Sequence, residues 1–173
     1  VDANVTISFA RDLSGAQEVA PVSTTASGSV QMVYNSATNT FDLDVFVEGI
    51  SAADLTGAHI HQGAVGVNGS VIFALGDGTN WTVENGGLRR NLDDITLPAA
   101  NIADLLAGNL YVNIHTPTNT GGELRGQLSL IGDTADLTGG DTFIVNDLTP
   151  TDVQVVNLGL GVNDLGEIDS VSI

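Results

Sequence analysis

Apolar residues at every second position are the feature that most limits how this chain can fold. Val1, Ala3, Val5, Ile7 and Phe9 alternate with polar residues at the start of the sequence. Successive side chains of a β-strand point to opposite faces, so the pattern predicts a strand with one buried face. Residues 41–47 alternate in the same way. The chain is therefore expected to be an all-β protein.

Further strands are predicted over residues 29–34, 70–75, 109–115 and 123–131, with a short one over residues 81–83. One helix is predicted over residues 96–108. Thr96 can cap it, Pro98 lies in its first turn and Gly108 ends it.

The charge balance excludes whole classes of partner. The chain has 21 acidic residues against four arginines and no lysine, and its net charge is −17. Such a surface repels phosphate backbones and anionic membrane surfaces, so we expect no nucleic-acid partner. No apolar run approaches the roughly 20 residues that span a membrane, so we also expect no membrane insertion.

The absence of cysteine excludes disulfides and a thiol nucleophile. The sequence begins at Val1 and not at methionine. We therefore expect a mature secreted or cell-surface protein whose signal peptide has been removed.

The composition changes after about residue 131. Residues 132–173 contain eight acidic residues and no basic one, with apolar alternation in short stretches. We predict one domain over residues 1–131, including the strand at 1–9, and an acidic β-strand extension over 132–173 that packs on it or continues it. Calcium could bind this extension, but no calcium-loop motif occurs, and ordinary acidic turns are the favoured interpretation.

All three histidines of the chain are expected to lie at strand ends. His59 and His61 are two positions apart, so their side chains share one face of a strand, and His115 ends another. If the strands are neighbours, three imidazoles converge and could bind copper or zinc, with Glu18 or Glu123 as a fourth ligand. The alternative is that the histidines bond backbone carbonyls and carboxylates across turns.

Glu123 and Arg125 are also two positions apart. An arginine on a strand of so acidic a chain is expected to form a bidentate pair with a carboxylate, and Glu18 is the candidate partner. We expect these three residues to support the structure and not to bind a ligand.

Four segments, taken in order, resemble the chordin-type (CHRD) domain. They are LSGAQEV at residues 13–19, GAHIHQG at 57–63, LYVNIHT at 110–116 and GGELRGQL at 121–128. The chain departs from the family in one place, where Val19 and Ala20 precede Pro21. The resemblance implies an extracellular, immunoglobulin-like antiparallel β-sandwich, found in animals in a growth-factor antagonist and in bacteria in exported proteins. No catalytic activity is implied.

Function is therefore predicted to be non-enzymatic. The favoured hypothesis is a structural protein of the cell surface or extracellular matrix that assembles with itself or with other surface proteins. Residues 1–9 could pair within their own sheet or could complete the sheet of a neighbouring subunit. Repeated strand addition of the second kind builds a filament. The alternatives are a copper- or zinc-binding module and, less favoured, a metalloenzyme.

Overall fold

The computed structural model of the protein describes residues 6–133. The strands and the α-helix in that range, in chain order, are β1 (Thr6–Leu13), β2 (Ser27–Asn35), β3 (Thr40–Glu48), β4 (Gly57–Gln62), β5 (Ser70–Gly76), β6 (Thr82–Glu84), β7 (Gly87–Thr96), α1 (Ala99–Leu106), β8 (Leu110–His115), β9 (Leu124–Gln127) and β10 (Ser129–Asp133).

The strands form two sheets. One has six strands in the order β10-β1-β2-β3-β7-β6, and the other has four in the order β5-β4-β8-β9. Every pairing is antiparallel. The predicted all-β, antiparallel sandwich with one short helix is confirmed.

The core lies between the sheets because each sheet turns one apolar face inward. The alternation predicted for β3 is confirmed, since Phe41, Leu43, Val45 and Val47 are each no more than 3% exposed. Phe41 meets Phe73 of the four-stranded sheet edge to face, with ring centroids 5.8 Å apart. Both sheets thus contribute to one continuous core.

The four-stranded sheet is polar on its other face. Ala58, Ile60, Val112 and Ile114 join the core, and the residues between them alternate outward. We call the outward set the polar layer, and it consists of His59, His61, Tyr111, Asn113, His115, Arg125 and Gln127. Loops from the rest of the chain cover much of this layer, so that Tyr111 and Arg125 are each only 1% exposed.

The helix is shorter than predicted. It begins after Pro98 and ends at Leu106. Pro98 occupies the N-cap position, and its side chain makes no capping hydrogen bond. Thr96 is the last residue of β7, so the cap predicted at Thr96 is wrong. Gly108 follows the helix with a φ of +70°, a conformation that suits glycine, and the predicted stop is confirmed.

Two strands differ from the sequence-based prediction. The ten-residue strand β7 was not predicted at all. The single strand predicted over residues 123–131 is divided at Leu128, which is fully buried. The residues before Leu128 pair in the four-stranded sheet, and those after it pair with β1 in the six-stranded sheet.

The described part of the N-terminal strand pairs within its own sheet on both sides. Thr6–Leu13 lies between β2 and β10, and Ile7 and Phe9 are paired in both directions. Val1, Ala3 and Val5 lie outside the described residues, so strand addition to a neighbour stays a prediction about residues 1–5. Of the acidic extension, only residues 132 and 133 are described, as the end of β10.

Candidate metal centre

The pairing of β4 with β8 brings the three histidines together. Gly57 lies opposite His115, and His59 lies opposite Asn113. His59 and His61 share a face of β4 because they are two residues apart. The ring centroids are 5.6 Å apart for His59 and His61, 5.0 Å for His59 and His115, and 6.0 Å for His61 and His115. The predicted convergence of the three imidazoles is therefore confirmed.

Backbone carbonyls fix the tautomer of two rings. His61 Nδ1 lies 3.0 Å from the carbonyl oxygen of Gly69, and His115 Nδ1 lies 3.1 Å from that of Thr120. A carbonyl only accepts hydrogen bonds, so each Nδ1 carries the proton and each Nε2 keeps its lone pair. A metal-binding histidine commonly donates its other N–H in this way.

Three ring nitrogens are left without a hydrogen-bond partner. They are His59 Nδ1, His61 Nε2 and His115 Nε2, and all three atoms are buried. Each ring offers one ligand atom to a group whose members lie within 4.8 Å of one another. Zinc–imidazole bonds are roughly 2.0–2.1 Å long, and each ring needs to move by no more than about an ångström toward the centre of the cluster to reach that distance from one ion. The donor set therefore fits one metal ion.

The electrostatics keep the imidazoles neutral, as metal binding requires. Burial lowers the pKa of all three rings below the ordinary value. Repulsion from His61 lowers the pKa of His59 further, and repulsion from His59 does the same for His115. Near neutral pH the nitrogens are thus lone-pair donors and not cations.

Glu123, one of the two predicted fourth ligands, is committed to other contacts. Its carboxylate accepts hydrogen bonds from Thr24 Oγ1 at 2.6 Å and from Thr116 Oγ1 at 2.5 Å. Burial alone would raise the pKa of Glu123, but hydrogen bonds from Thr116, Thr24 and Asn119 outweigh it and lower the pKa. The residue thus joins two loops across the end of the sheet.

Glu18, the other predicted ligand, lies with Asn113 above Gly122. A Cβ on Gly122 would lie 2.5 Å from Glu18 Oε1 and 2.4 Å from Asn113 Oδ1, so the close approach requires glycine. Burial raises the pKa of Glu18 to about 7, although Arg125 and a hydrogen bond from Asn113 lower it. The carboxyl group is 5% exposed, and its Oε1 has no hydrogen-bond partner.

Arg125 does not form the predicted bidentate pair with Glu18. Within the described residues, the side-chain ion pairs closer than 4.0 Å involve Arg89 alone. The guanidinium of Arg125 instead donates to the carbonyl oxygens of Ala64 and Val67 and to Oε1 of Gln127, at 2.9–3.1 Å. It therefore fastens the loop after β4 to the polar layer.

Tyr111, Asn113 and Gln127 were not singled out from the sequence. Tyr111 stacks on His61, with centroids 4.9 Å apart and an interplanar angle of 11°, and its hydroxyl accepts from Gly69 N at 3.1 Å. The signal was present in residues 110–115, where polar or aromatic residues alternate with Leu110, Val112 and Ile114. Only the histidine of this alternating set was interpreted as functional.

Replacing Glu18 by glutamine is expected to stabilise the protein at pH 8 by about 1–3 kcal/mol and to leave it unchanged at pH 4. The pKa of Glu18 is about 7 in the folded protein and lies above the ordinary value of 4.5. The folded protein therefore holds the proton between these pH values while the unfolded chain releases it, and wild-type stability falls as pH rises through that window. Glutamine removes this loss, and urea denaturation at both pH values measures it.

The control is Glu48→Gln, because Glu48 is an exposed acid at the end of β3. It should change the free energy of unfolding by less than about 0.5 kcal/mol at either pH. An equal gain from Glu18→Gln at pH 4 and pH 8 would contradict the titration argument.

Two antiparallel sheets around one core, with a polar layer on the outer face of the smaller sheet, define a β-sandwich domain. The sequence profile of the CHRD domain matches residues 9–128, which is more than half of the chain. The protein belongs to the CHRD domain family, whose members occur in extracellular proteins. The motifs that carried the resemblance supply the three histidines, Glu18 and Arg125.

A comparison with curated proteins found no match. Within residues 6–133, no helix is long and apolar enough to cross a membrane.

Proposed function

We propose that this protein is an extracellular, non-enzymatic metal-binding domain that holds one copper or zinc ion through His59, His61 and His115. One observation carries the proposal, namely a cluster of three histidines in which one ligand atom of each ring lies within 4.8 Å of the other two and each ring has a buried nitrogen without a partner. Buried polar atoms are rarely left unpaired, so three in one cluster point to a ligand. Imidazole is a ligand that suits both metals.

A binding role is favoured over catalysis by the state of the carboxylates. A hydrolytic metal site needs a general base beside the metal. Glu123 is engaged by two threonine hydroxyls. Among the described residues, the group of possible ligand atoms consists of the three histidines and includes no carboxylate. His59 and His115 are only partly buried, which leaves the ion a path of entry from solvent.

A metal titration of single-histidine variants tests the proposal. Wild-type protein should bind one equivalent of Cu²⁺ or Zn²⁺ at pH 7.5, as measured by calorimetry. His59→Gln, His61→Gln and His115→Gln should each weaken metal binding by at least about 100-fold. Loss of a residue that only supports a ligand already costs up to about that factor in metal affinity. Circular dichroism of each apo variant checks that the fold is kept.

The acidic surface requires a matched control, because many carboxylates bind cations weakly. Asp93→Asn removes an exposed charge from the six-stranded sheet and should leave the titration unchanged. If the histidine variants bound the metal as tightly as the wild type, the proposed site would be contradicted.

The pH dependence of binding has a defined direction. A metal competes with protons for the imidazoles, and burial lowers the pKa of all three. Affinity should therefore be constant from pH 8 to pH 7 and should fall only below about pH 6.5.

A further inference from the structure

Two side chains are stacked behind one of the ligand imidazoles. The guanidinium carbon of Arg125 lies 3.5 Å from the ring centroid of Tyr111. His61 lies on β4, on the other side of β8 from Arg125, and its ring is nearly parallel to that of Tyr111 with centroids 4.9 Å apart. The free Nε2 of His61 is one of the proposed metal ligands. A fixed positive charge is thus stacked one aromatic ring away from the ligand.

The charge of Arg125 is held in place but is not cancelled by a direct ion pair. Its hydrogen-bond acceptors are the carbonyls of Ala64 and Val67 and the side-chain amide oxygens of Asn68 and Gln127, all of them neutral. In the described part of the chain, no carboxylate oxygen lies within 4.0 Å of its guanidinium. Arg125 is also 1% exposed, so solvent screens it weakly.

The proposed ligands bring no negative charge to offset the metal. Three neutral imidazoles leave a divalent ion with its full charge of +2, and a monovalent ion with +1. Coulomb repulsion from a buried cation therefore disfavours the divalent ion more strongly. A neutralising carboxylate would reverse this preference. Glu123 is engaged by two threonines, and burial raises the pKa of Glu18 to about 7, so Glu18 is mostly uncharged below that pH.

We propose that the Arg125–Tyr111–His61 stack makes the three-histidine site prefer copper(I) over copper(II), with Arg125 as a positioning residue that acts through Tyr111. This inference rests on the proposed function and names the ion and the oxidation state. Reduction of bound Cu²⁺ takes one electron, which a small reductant such as ascorbate supplies. No bond to the protein is made or broken in that step.

The size of the preference follows from Coulomb's law. A unit charge at about 10 Å, acting through an effective dielectric constant of about 20, changes an equilibrium constant by on the order of tenfold. For a one-electron couple, a tenfold change corresponds to about 59 mV.

A potentiometric titration of the copper-loaded protein tests the inference, with Cu²⁺ followed by its paramagnetic resonance signal. Arg125→Met should lower the ratio of copper(I) to copper(II) affinity by about tenfold relative to wild type. Arg125→Lys keeps the charge, so its ratio should stay within about threefold of wild type even if both affinities fall. A structural role alone would weaken both oxidation states equally, and an unchanged ratio in Arg125→Met would overturn the inference.

Arg90→Met is the matched control for loss of an arginine. Arg90 lies in the six-stranded sheet and donates to the carbonyl of Asn80. Its removal should leave the affinity ratio unchanged, and a tenfold fall in this variant would also overturn the inference, because the effect would then not depend on the stack.

The wild-type protein gives a second test if Arg125→Met does not fold. Its affinity ratio should exceed that of copper in free imidazole at the same pH by about tenfold, and a ratio no higher than that of free imidazole would overturn the inference. The two proposals fail separately. Failure to bind copper or zinc at all contradicts the metal site, whereas tight binding with an unshifted ratio contradicts only the role of the stack.

Discussion

Arg125→Ala is expected to lower the free energy of unfolding of the metal-free protein by about 3–5 kcal/mol. The side chain is 1% exposed and donates to two backbone carbonyls and to Gln127. Alanine leaves these acceptors buried without a donor, and each such loss costs about 1–3 kcal/mol. The contact with the face of Tyr111 is lost as well. Urea denaturation followed by circular dichroism measures the change.

Arg89→Ala provides the comparison. Arg89 forms ion pairs with Asp44 and Glu84 at 3.2 and 3.1 Å, but its side chain is 36% exposed. Exposed ion pairs contribute little, so the variant should cost no more than about 1 kcal/mol. If the two alanine variants were equally stable, the carbonyl contacts of Arg125 would contribute no more than a surface ion pair.

Gly69→Ala is expected to destabilise the protein by about 4 kcal/mol or more and to weaken metal binding. A Cβ at this position would lie 1.5 Å from the carbonyl oxygen of Gln62, which forces the backbone to move. The same residue orients the site, because its carbonyl faces His61 Nδ1 and its N–H donates to the hydroxyl of Tyr111. Denaturation and calorimetric metal titration of the same sample measure both effects.

Gly121→Ala is the control, since a Cβ there would meet no atom within 4 Å. It should change stability by less than about 1 kcal/mol and should leave metal affinity unchanged. Equal behaviour of the two variants would mean that the loop after β4 adjusts freely and that Gly69 does not fix the site.

The sequence predicts β3, which keeps a strict period of two, and misses β7, in which a bulge interrupts the period. In β3 the alternation is unbroken, and the prediction is confirmed. In β7, Leu92 pairs with Leu43 and Ile95 pairs with Phe41, so three steps on β7 face two on β3. Asp94, with a φ of +53°, lies in this irregular stretch. The extra residue shifts the apolar positions out of phase, and the pattern disappears from the sequence.

The candidate site was predictable as far as it depends on spacing along strands. His59 and His61 had to share a face, and the pairing with His115 followed once β4 and β8 were neighbours. The partners of Arg125 were not predictable in this way, because two of the four are the backbone carbonyls of Ala64 and Val67, which no residue type encodes. A rule that pairs arginine with carboxylates pointed to Glu18 and was wrong for this reason.

The pairing of β1 with β10 determines how the domain responds to tension. Ile7 lies opposite Asp133, so the two ends of the described chain leave the six-stranded sheet side by side. A force that pulls these two points apart acts along the hydrogen bonds between β1 and β10, because these bonds run perpendicular to the strands. The bonds therefore break one after another from this end, and the load is not shared among them. The six-stranded sheet therefore loses an edge first. The four-stranded sheet that carries the histidines is loaded only after these rungs have parted, through Leu128 on one side and through the Ser14–Arg125 bridge on the other. The domain therefore lengthens first at β1 and β10, with its three imidazoles still in place.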